Sequence, residues 1–272
     1  MKTFKVEKPI KLSKFLLGVY GAELSYKTLQ KLIRNKDIKV DGKRINKDIS
    51  LIKGQTVCVY YDGEKRGITP LFESDGVFVF YKPPTLTSED FCARVNEVYE
   101  GLELCHRLDR NTAGLLVFAK GEAYNEMLKA FKERTVEKYY LCEVYGKMKS
   151  PSNRLTAYLK KDGDNSLVKI HDNEVLGSVK IITEYQTVEE REETTVLRVK
   201  LITGKTHQIR AHLAHEGNFI IGDNKYGDSE INKKFKAKRQ KLIAYNLKFN
   251  FDKTSILYNI DKKEVILNNV EI

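Results

Sequence analysis

The sequence predicts an α+β chain: a small, basic helix-helix-hairpin unit followed by a larger unit built on a mixed or antiparallel sheet. Three observations carry this expectation. Apolar positions repeat at helical spacing from Leu12 to Ile33 and switch to a period of two after Asn35. Beyond residue 77 many short period-two runs are interrupted by only a few helical ones, the pattern of a sheet with segregated helices. Between the two regions, residues 62–70 hold turn formers, mixed charge and almost no apolar side chain. We therefore expect domains at 1–61 and 72–272 with a linker at 62–71.

In the first unit Leu12, Phe15, Leu16 and Val19 fall at i, i+3, i+4 and i+7, a short amphipathic helix ending near Gly18 or Gly21. Ser25 is a good N-cap for a second helix, with Leu29, Leu32 and Ile33 inward and Lys27, Lys31 and Arg34 outward. Ile38 and Val40, an Asp41-Gly42 turn, Ile45, then Lys53-Gly54 and a run through Val57 and Val59 read as a hairpin and its closing strand.

The second unit opens with an Asp75-Gly76 turn and a strand over 77–81, stopped by Lys82-Pro83-Pro84, after which the chain must leave the sheet as an extended loop. One short helical pattern precedes Cys105. A buried-strand pattern follows at 115–119, then a helix with Tyr124, Met127, Leu128 and Phe131 at helical spacing. Over 138–146 Lys138, Tyr140, Cys142 and Val144 share one strand face. Asp162-Gly163-Asp164-Asn165 marks a turn, with strands expected at 167–170, 178–188 and 194–202. Glu189, Glu190, Glu192 and Glu193 with Arg191 read as a solvated hairpin tip. Residues 203–212 turn from strand to helix, placing His207 and Arg210 on one face. Residues 222–227 form a glycine-bounded loop, and 233–241 pack six basic residues into nine, a second candidate contact for a polyanion. Strands at 242–251 and near the C-terminus close the unit.

The 272 residues suffice for a real core without staples. Cys58, Cys92, Cys105 and Cys142 lie far apart with no metal-ligand or disulfide pattern, and no segment has signal-peptide or membrane-span character. A cytoplasmic protein with reduced thiols, no membrane partner and a monomeric state is the expectation. The formal net charge is +11, and residues 11–53 carry eleven Lys and Arg against four acids, +7 of that total. This points to a polyanionic partner.

Chemistry concentrates in His106-Arg107-Leu108-Asp109-Arg110-Asn111-Thr112-Ala113-Gly114. Arg107, Arg110 and His106 favour an ionised Asp109, a nucleophile or electrostatic anchor and not a proton donor. An isolated Asp-Arg pair is ordinarily a surface ion pair. Here the apolar run that follows sets the carboxylate at the mouth of a sheet, where functional loops sit.

Residues 11–61, with the basic second helix, the Val40-Asp41-Gly42-Lys43 turn and a closing Gly-x-x-Val strand, resemble the alpha-L RNA-binding module named after a small-subunit ribosomal protein. The resemblance implies RNA contacts from Lys27, Lys31, Arg34, Lys43 and Arg44, since a rigid basic face neutralises several phosphates at once. Four segments in 77–251 resemble the RluA-type pseudouridine synthases: the loop just quoted, Lys138-x-Tyr140-x-Cys142-x-Val144-x-Gly146, Gly204-Lys205-Thr206-His207-Gln208-Ile209-Arg210-x-His212, and Gly222-Asp223-x-x-Tyr226-Gly227.

That resemblance implies isomerisation of uridine to pseudouridine in RNA, by base flipping and without cofactor or metal. Asp109 would be the catalytic carboxylate, attacking or removing a sugar proton. Tyr140 would stack on the detached base and assist loss of the proton from carbon 5, and Arg210 would pair with Asp109. Arg107 would fill the gap left by the flipped base, with His106, Thr112 and His207 also at the substrate. Large-subunit ribosomal RNA is the expected substrate and transfer RNA the second. A non-catalytic ribosome assembly factor is the alternative, against which the intact Asp109, Tyr140 and Arg210 stand. His207, His212 and His215 do not reproduce a zinc-hydrolase spacing. The chain departs from the family's pattern at Ala113, in the loop after Lys82, and at Ile243 and Asn250-Phe251, positions that bear on target recognition.

Overall fold

The structure is a computed structural model that describes residues 2–20, 24, 26–60, 68–162, 167–268, 270 and 272, without the side chains of Lys2 and Lys27. The expected cap Ser25, the helix stop at Gly21, most of the 62–71 linker and the turn at 163–165 lie outside the described residues. The chain divides into two compact units, 1–69 and 70–272.

In the first unit the elements are β1 (Lys2–Lys5), β2 (Ile10–Lys11), α1 (Leu12–Tyr20), α2 (Tyr26–Arg34), β3 (Ile38–Val40), β4 (Lys43–Arg44), β5 (Ser50–Leu51) and β6 (Thr56–Val59). The expected hairpin belongs to a four-stranded sheet in the order β1-β6-β3-β4. Its unforeseen member is β1, whose alternation of charged and apolar residues is itself a strand pattern. Leu12, Leu16, Leu29, Leu32 and Ile33 are buried as expected, but Val19 is 44% exposed and Tyr20 takes its place inside. The helix runs through Gly18, and Phe4 from β1 packs edge-on to Tyr20 with ring centroids 5.5 Å apart.

The second unit comprises β7 (Phe72–Ser74), β8 (Val77–Lys82), α3 (Ser88–Asn96), β9 (Glu103–Leu104), β10 (Ala113–Ala119), α4 (Glu122–Glu133), β11 (Val136–Tyr145), β12 (Ser152–Lys161), β13 (Val168–His171), β14 (Val179–Glu190), β15 (Thr194–Leu201), α5 (Gln208–His215), α6 (Ser229–Lys234), β16 (Leu242–Phe249) and β17 (Glu264–Ile266). Among the described residues these strands form one eleven-stranded sheet, its main path running β13-β12-β14-β15-β11-β16-β10-β8-β7. All pairings are antiparallel except β10 with β16. The sheet is therefore mixed, with a single parallel seam at its centre.

Helix α4 covers one face through Ala123, Met127 and Ala130, against Val117, Val136 and Leu247. Leu128, expected inside, is 39% exposed. Ala123 and Ala130 form the inward stripe instead, because they allow the helix to lie close to the strands. Strand β12 and helix α6 extend the predicted set. The acidic hairpin tip is also more than solvated surface. Arg191 reaches the buried Glu143 at 3.0 Å, and Lys241 pairs with the same carboxylate, which also accepts from Thr194 Oγ1 at 2.6 Å. These donors hold the Glu143 carboxyl below its ordinary range although burial pushes it up. Lys233, Lys234 and Lys241 all have acidic partners, so the basic cluster at 233–241 is less available to a polyanion than its composition suggested.

Gly114 lies on the parallel seam opposite Ala244, with φ +123°, and a Cβ there would fall 2.1 Å from the Ala244 carbonyl oxygen. Gly114→Ala is expected to destabilise the second unit by roughly 3 kcal/mol or more, through overpacking against backbone and left-handed strain. Urea unfolding measures this directly, and an unchanged midpoint would show that the seam can open.

Candidate active site

The loop that carries Asp109 is tied down on three sides. Ser88 Oγ donates to the Leu108 carbonyl at 3.0 Å and accepts from the Leu108 N–H at 2.9 Å. Gln240 Nε2 donates to Thr112 Oγ1 at 2.7 Å. Lys82, fully buried where β8 meets the two prolines, donates from Nζ to the carbonyls of Pro83 (3.0 Å), Leu86 (2.8 Å) and Arg110 (3.2 Å). Burial pushes the Lys82 ammonium down to about 8, with the charge of Asp109 acting in the other direction. Proline supplies no N–H, so free carbonyls crowd this corner, and one ammonium satisfies three of them.

The opposite wall is the start of α5. Gln208 shapes the turn from strand to helix, accepting from Thr203 Oγ1 (2.9 Å) and the Lys205 N–H (3.1 Å) and donating to the Ile182 carbonyl (3.0 Å). His207 adopts a left-handed φ of 55° just before the helix. One turn in, the buried Arg210 forks: Nε and Nη2 donate to Asp223 at 2.6 and 2.9 Å, while Nη1 donates to Asp109 Oδ2 at 2.8 Å. Asp223 also accepts from the N–H groups of Lys225 and Tyr226 at 2.8 and 3.2 Å. Burial opposes both charges, yet the pairing raises the Arg210 pKa and keeps Asp223 below the usual carboxylate range. The guanidinium is thus anchored behind and presents one N–H forward.

Asp109 Oδ1 has no protein partner among the described residues, and the side chain is 24% exposed. Tyr140, on β11, is buried, and burial with the nearby Asp109 charge raises its pKa, so the phenol stays neutral. His207 places Nε2 3.9 Å from Asp109 Oδ2 and Nδ1 2.9 Å from the Tyr226 hydroxyl. The Tyr226 oxygen also accepts from the Val168 N–H at 2.9 Å, so this hydroxyl ties the His207 ring to β13. Burial lowers the His207 pKa and keeps the ring neutral at physiological pH.

The structure therefore brings together Asp109, Tyr140, Arg210 and His207 from three distant segments. Arg107 is exposed at the rim, its Nε 2.8 Å from Glu89. Two expected substrate residues turn away. The Thr112 hydroxyl is buried and taken by Gln240, and His106 packs on Phe131 with ring centroids 4.6 Å apart while Nε2 accepts from the Val117 N–H at 3.1 Å. Burial and the charge of Lys138 push His106 down to about 3, so it does not help to hold Asp109 ionised. His212 and His215 bond Thr183 and Asp172 respectively and do not converge with His207.

A family model described as RNA pseudouridylate synthase matches residues 77–215, which include Asp109, Tyr140, His207 and Arg210. The chain belongs to this family. The ribosomal large subunit pseudouridine synthase C of Vibrio parahaemolyticus is 28% identical over 252 residues, covering 81% of this chain and 79% of that protein. An uncharacterized RNA pseudouridine synthase of Helicobacter pylori is 30% identical over 226 residues, covering 82% and 88% of the two chains. The solved structure of human RNA pseudouridylate synthase domain containing 1 has a TM-score of 0.60 at 22% identity, covering 68% of this chain and 79% of the other, a likeness of fold. Among the described residues no helix is long and apolar enough to cross a membrane.

Asp223 and Lys82 are among the residues of the candidate site to which the sequence assigned no role. Asp223 stands in the quoted Gly222-Asp223 motif, but its purpose exists only once Arg210 turns inward. For Lys82 a signal was present: a lysine ending an apolar strand directly before two prolines.

Proposed function

We propose that this RNA pseudouridine synthase acts on uridine in large-subunit ribosomal RNA, with Asp109 as its catalytic carboxylate. The observation that carries the reading of Asp109 is the fork of Arg210, which holds one carboxylate oxygen and leaves the other without a protein partner among the described residues. The bond from ribose C1′ to uracil N1 breaks, the base turns, a bond from C1′ to C5 forms, and C5 loses its proton while N1 gains one. Attack on the sugar and removal of a sugar proton both require an ionised, unencumbered oxygen at this place. Tyr140 stays neutral and so contributes its ring face to the detached base rather than a phenolate. Arg107, exposed at the rim, occupies the gap in the RNA stack. The assignment to the large subunit is supported by the name of the Vibrio relative.

Tritium release from C5-labelled RNA tests the substrate. Ribosomal RNA from cells lacking this protein is expected to release label at discrete large-subunit positions. Release from transfer RNA alone would overturn the ribosomal assignment.

The first unit is read as the RNA-holding module. Lys31 and Arg34 are exposed on the last turn of α2 and Lys43 on β4, whereas Arg44 donates to the Lys36 carbonyl at 2.7 Å and lies over Tyr60. The Lys27 side chain lies outside the described residues. Replacing Lys31 and Arg34 with Gln is expected to flatten the slope of log affinity against log salt by about two, one for each phosphate no longer neutralised. An unchanged slope in titrations of binding against salt would return this face to solvent.

A further inference from the structure

The first unit contains a groove of about 600 Å³ between α2 and the loop at 46–48, within the range of about 300–1,000 Å³ typical of ligand sites. Leu29 and Ile33 form its apolar floor. Tyr26 stands at one side with 58% of its surface exposed, and neither its ring nor its hydroxyl has a partner among the described residues. The far wall is fixed, because Ser13 donates from its backbone N–H and its hydroxyl to the two oxygens of Asp48, at 3.0 and 2.8 Å. Gln30 and Asn46 bring amide groups to the groove, and Arg34 on the last turn of α2 and Lys36 just beyond it each bring a cation.

An exposed aromatic ring beside an apolar floor, amides near it and cations toward the end of the helix form a site with the layout of a nucleotide: base, base edge, phosphate. From this we propose that the groove takes a single unpaired RNA nucleotide, its base against Tyr26 and its phosphate at Arg34 and Lys36. The proposal rests on the reading of this unit as RNA-binding. It goes further than a basic face, which follows phosphates without distinguishing paired from unpaired strands. A base inside a duplex is stacked on both sides and cannot reach Tyr26, whereas a bulged one can. The local excess of cations in 11–53 matches a polyanion and no apolar partner.

The test uses the full chain and two labelled RNAs, a perfect duplex and the same duplex with one bulged nucleotide, titrated at several salt concentrations. Wild type is expected to bind the bulged RNA about tenfold more tightly, within the range that stacking on one aromatic side chain supplies. Tyr26→Ala removes that preference and leaves the salt slope unchanged, while Tyr26→Phe retains it. Equal binding of the two RNAs by wild type, or equal weakening of both by Tyr26→Ala, overturns the proposal. Tight, salt-dependent binding without the bulge preference would sink the groove alone and leave the phosphate-holding role standing. Absence of salt-dependent binding to either RNA would remove both.

Discussion

Asp109→Asn is expected to lower the rate of tritium release by at least about 10⁴-fold, while the protein still folds and still binds RNA. Loss of a reacting group has effects of this order when nothing else in the site can take over its chemistry. Nothing near Asp109 can substitute for it: Asp223 is enclosed behind Arg210, His207 is neutral, and Tyr140 is held as a phenol. Stability should change little, within about 1 kcal/mol, because Arg210 keeps its two bonds to Asp223, an asparagine oxygen can still accept from Nη1, and the Asp109 side chain is partly exposed. Residual turnover above a few percent would show that the carboxylate only positions the substrate.

Arg210→Met should damage both stability and turnover. It leaves Asp223 buried without its cation, a loss of about 3–5 kcal/mol by the behaviour of broken buried pairs. Turnover should fall roughly 10²–10³-fold, since Asp109 is no longer held in place. The pH dependence supplies a sharper sign. In the wild type Asp223 is held below its ordinary value, so its contribution is present above about pH 4 and is lost as pH falls through the folded-state value. In the variant the cation is gone and only the N–H groups of Lys225 and Tyr226 still oppose burial, so that value rises and ionising Asp223 destabilises the fold as pH rises through it. The stability gap between the two proteins should therefore be wider at pH 8 than at pH 5. Denaturant melts across that interval decide this, and a constant gap would mean that water reaches Asp223. Arg210→Lys, which keeps the charge but not the fork, should fall between the two.

What the sequence made legible depended on how local the cause was. The 3.6-residue spacing in α1 and α2 is local, and so is the period of two in β8, β10 and β11. The pairing of Asp109 with Arg210 came from motif resemblance, and the structure shows its geometry with Asp223 behind. Misplaced residues share one error, that of treating neighbours in sequence as neighbours in space. His106 lies three residues from Asp109, yet its ring bonds β10 and rests on α4, whereas Arg210, a hundred residues on, touches the carboxylate. Lys82 and Gln240 act on the loop through carbonyl and hydroxyl groups whose needs appear only when the two prolines and the parallel seam are in place. The Arg191–Glu143–Lys241 network was invisible for the same reason. An acidic tip looks solvated until the strand beneath it is seen to bury a carboxylate.

The parallel seam also dictates the order in which the molecule can be made. β16 sits between β11 and β10, yet it is synthesised after both and after every element that carries a proposed catalytic side chain. Until residues 242–249 have left the ribosome, β10 and β11 present unpaired edges, each lined by apolar neighbours. Such edges invite pairing with other chains. β16 joins the strand that carries Tyr140 to the one that follows Asp109, so a nascent chain short of it holds the proposed catalytic residues without the strand that sets them side by side. Catalytic competence should then arrive abruptly, as one of the last events of folding, and the half-made enzyme should depend on chaperones more than its finished stability would suggest.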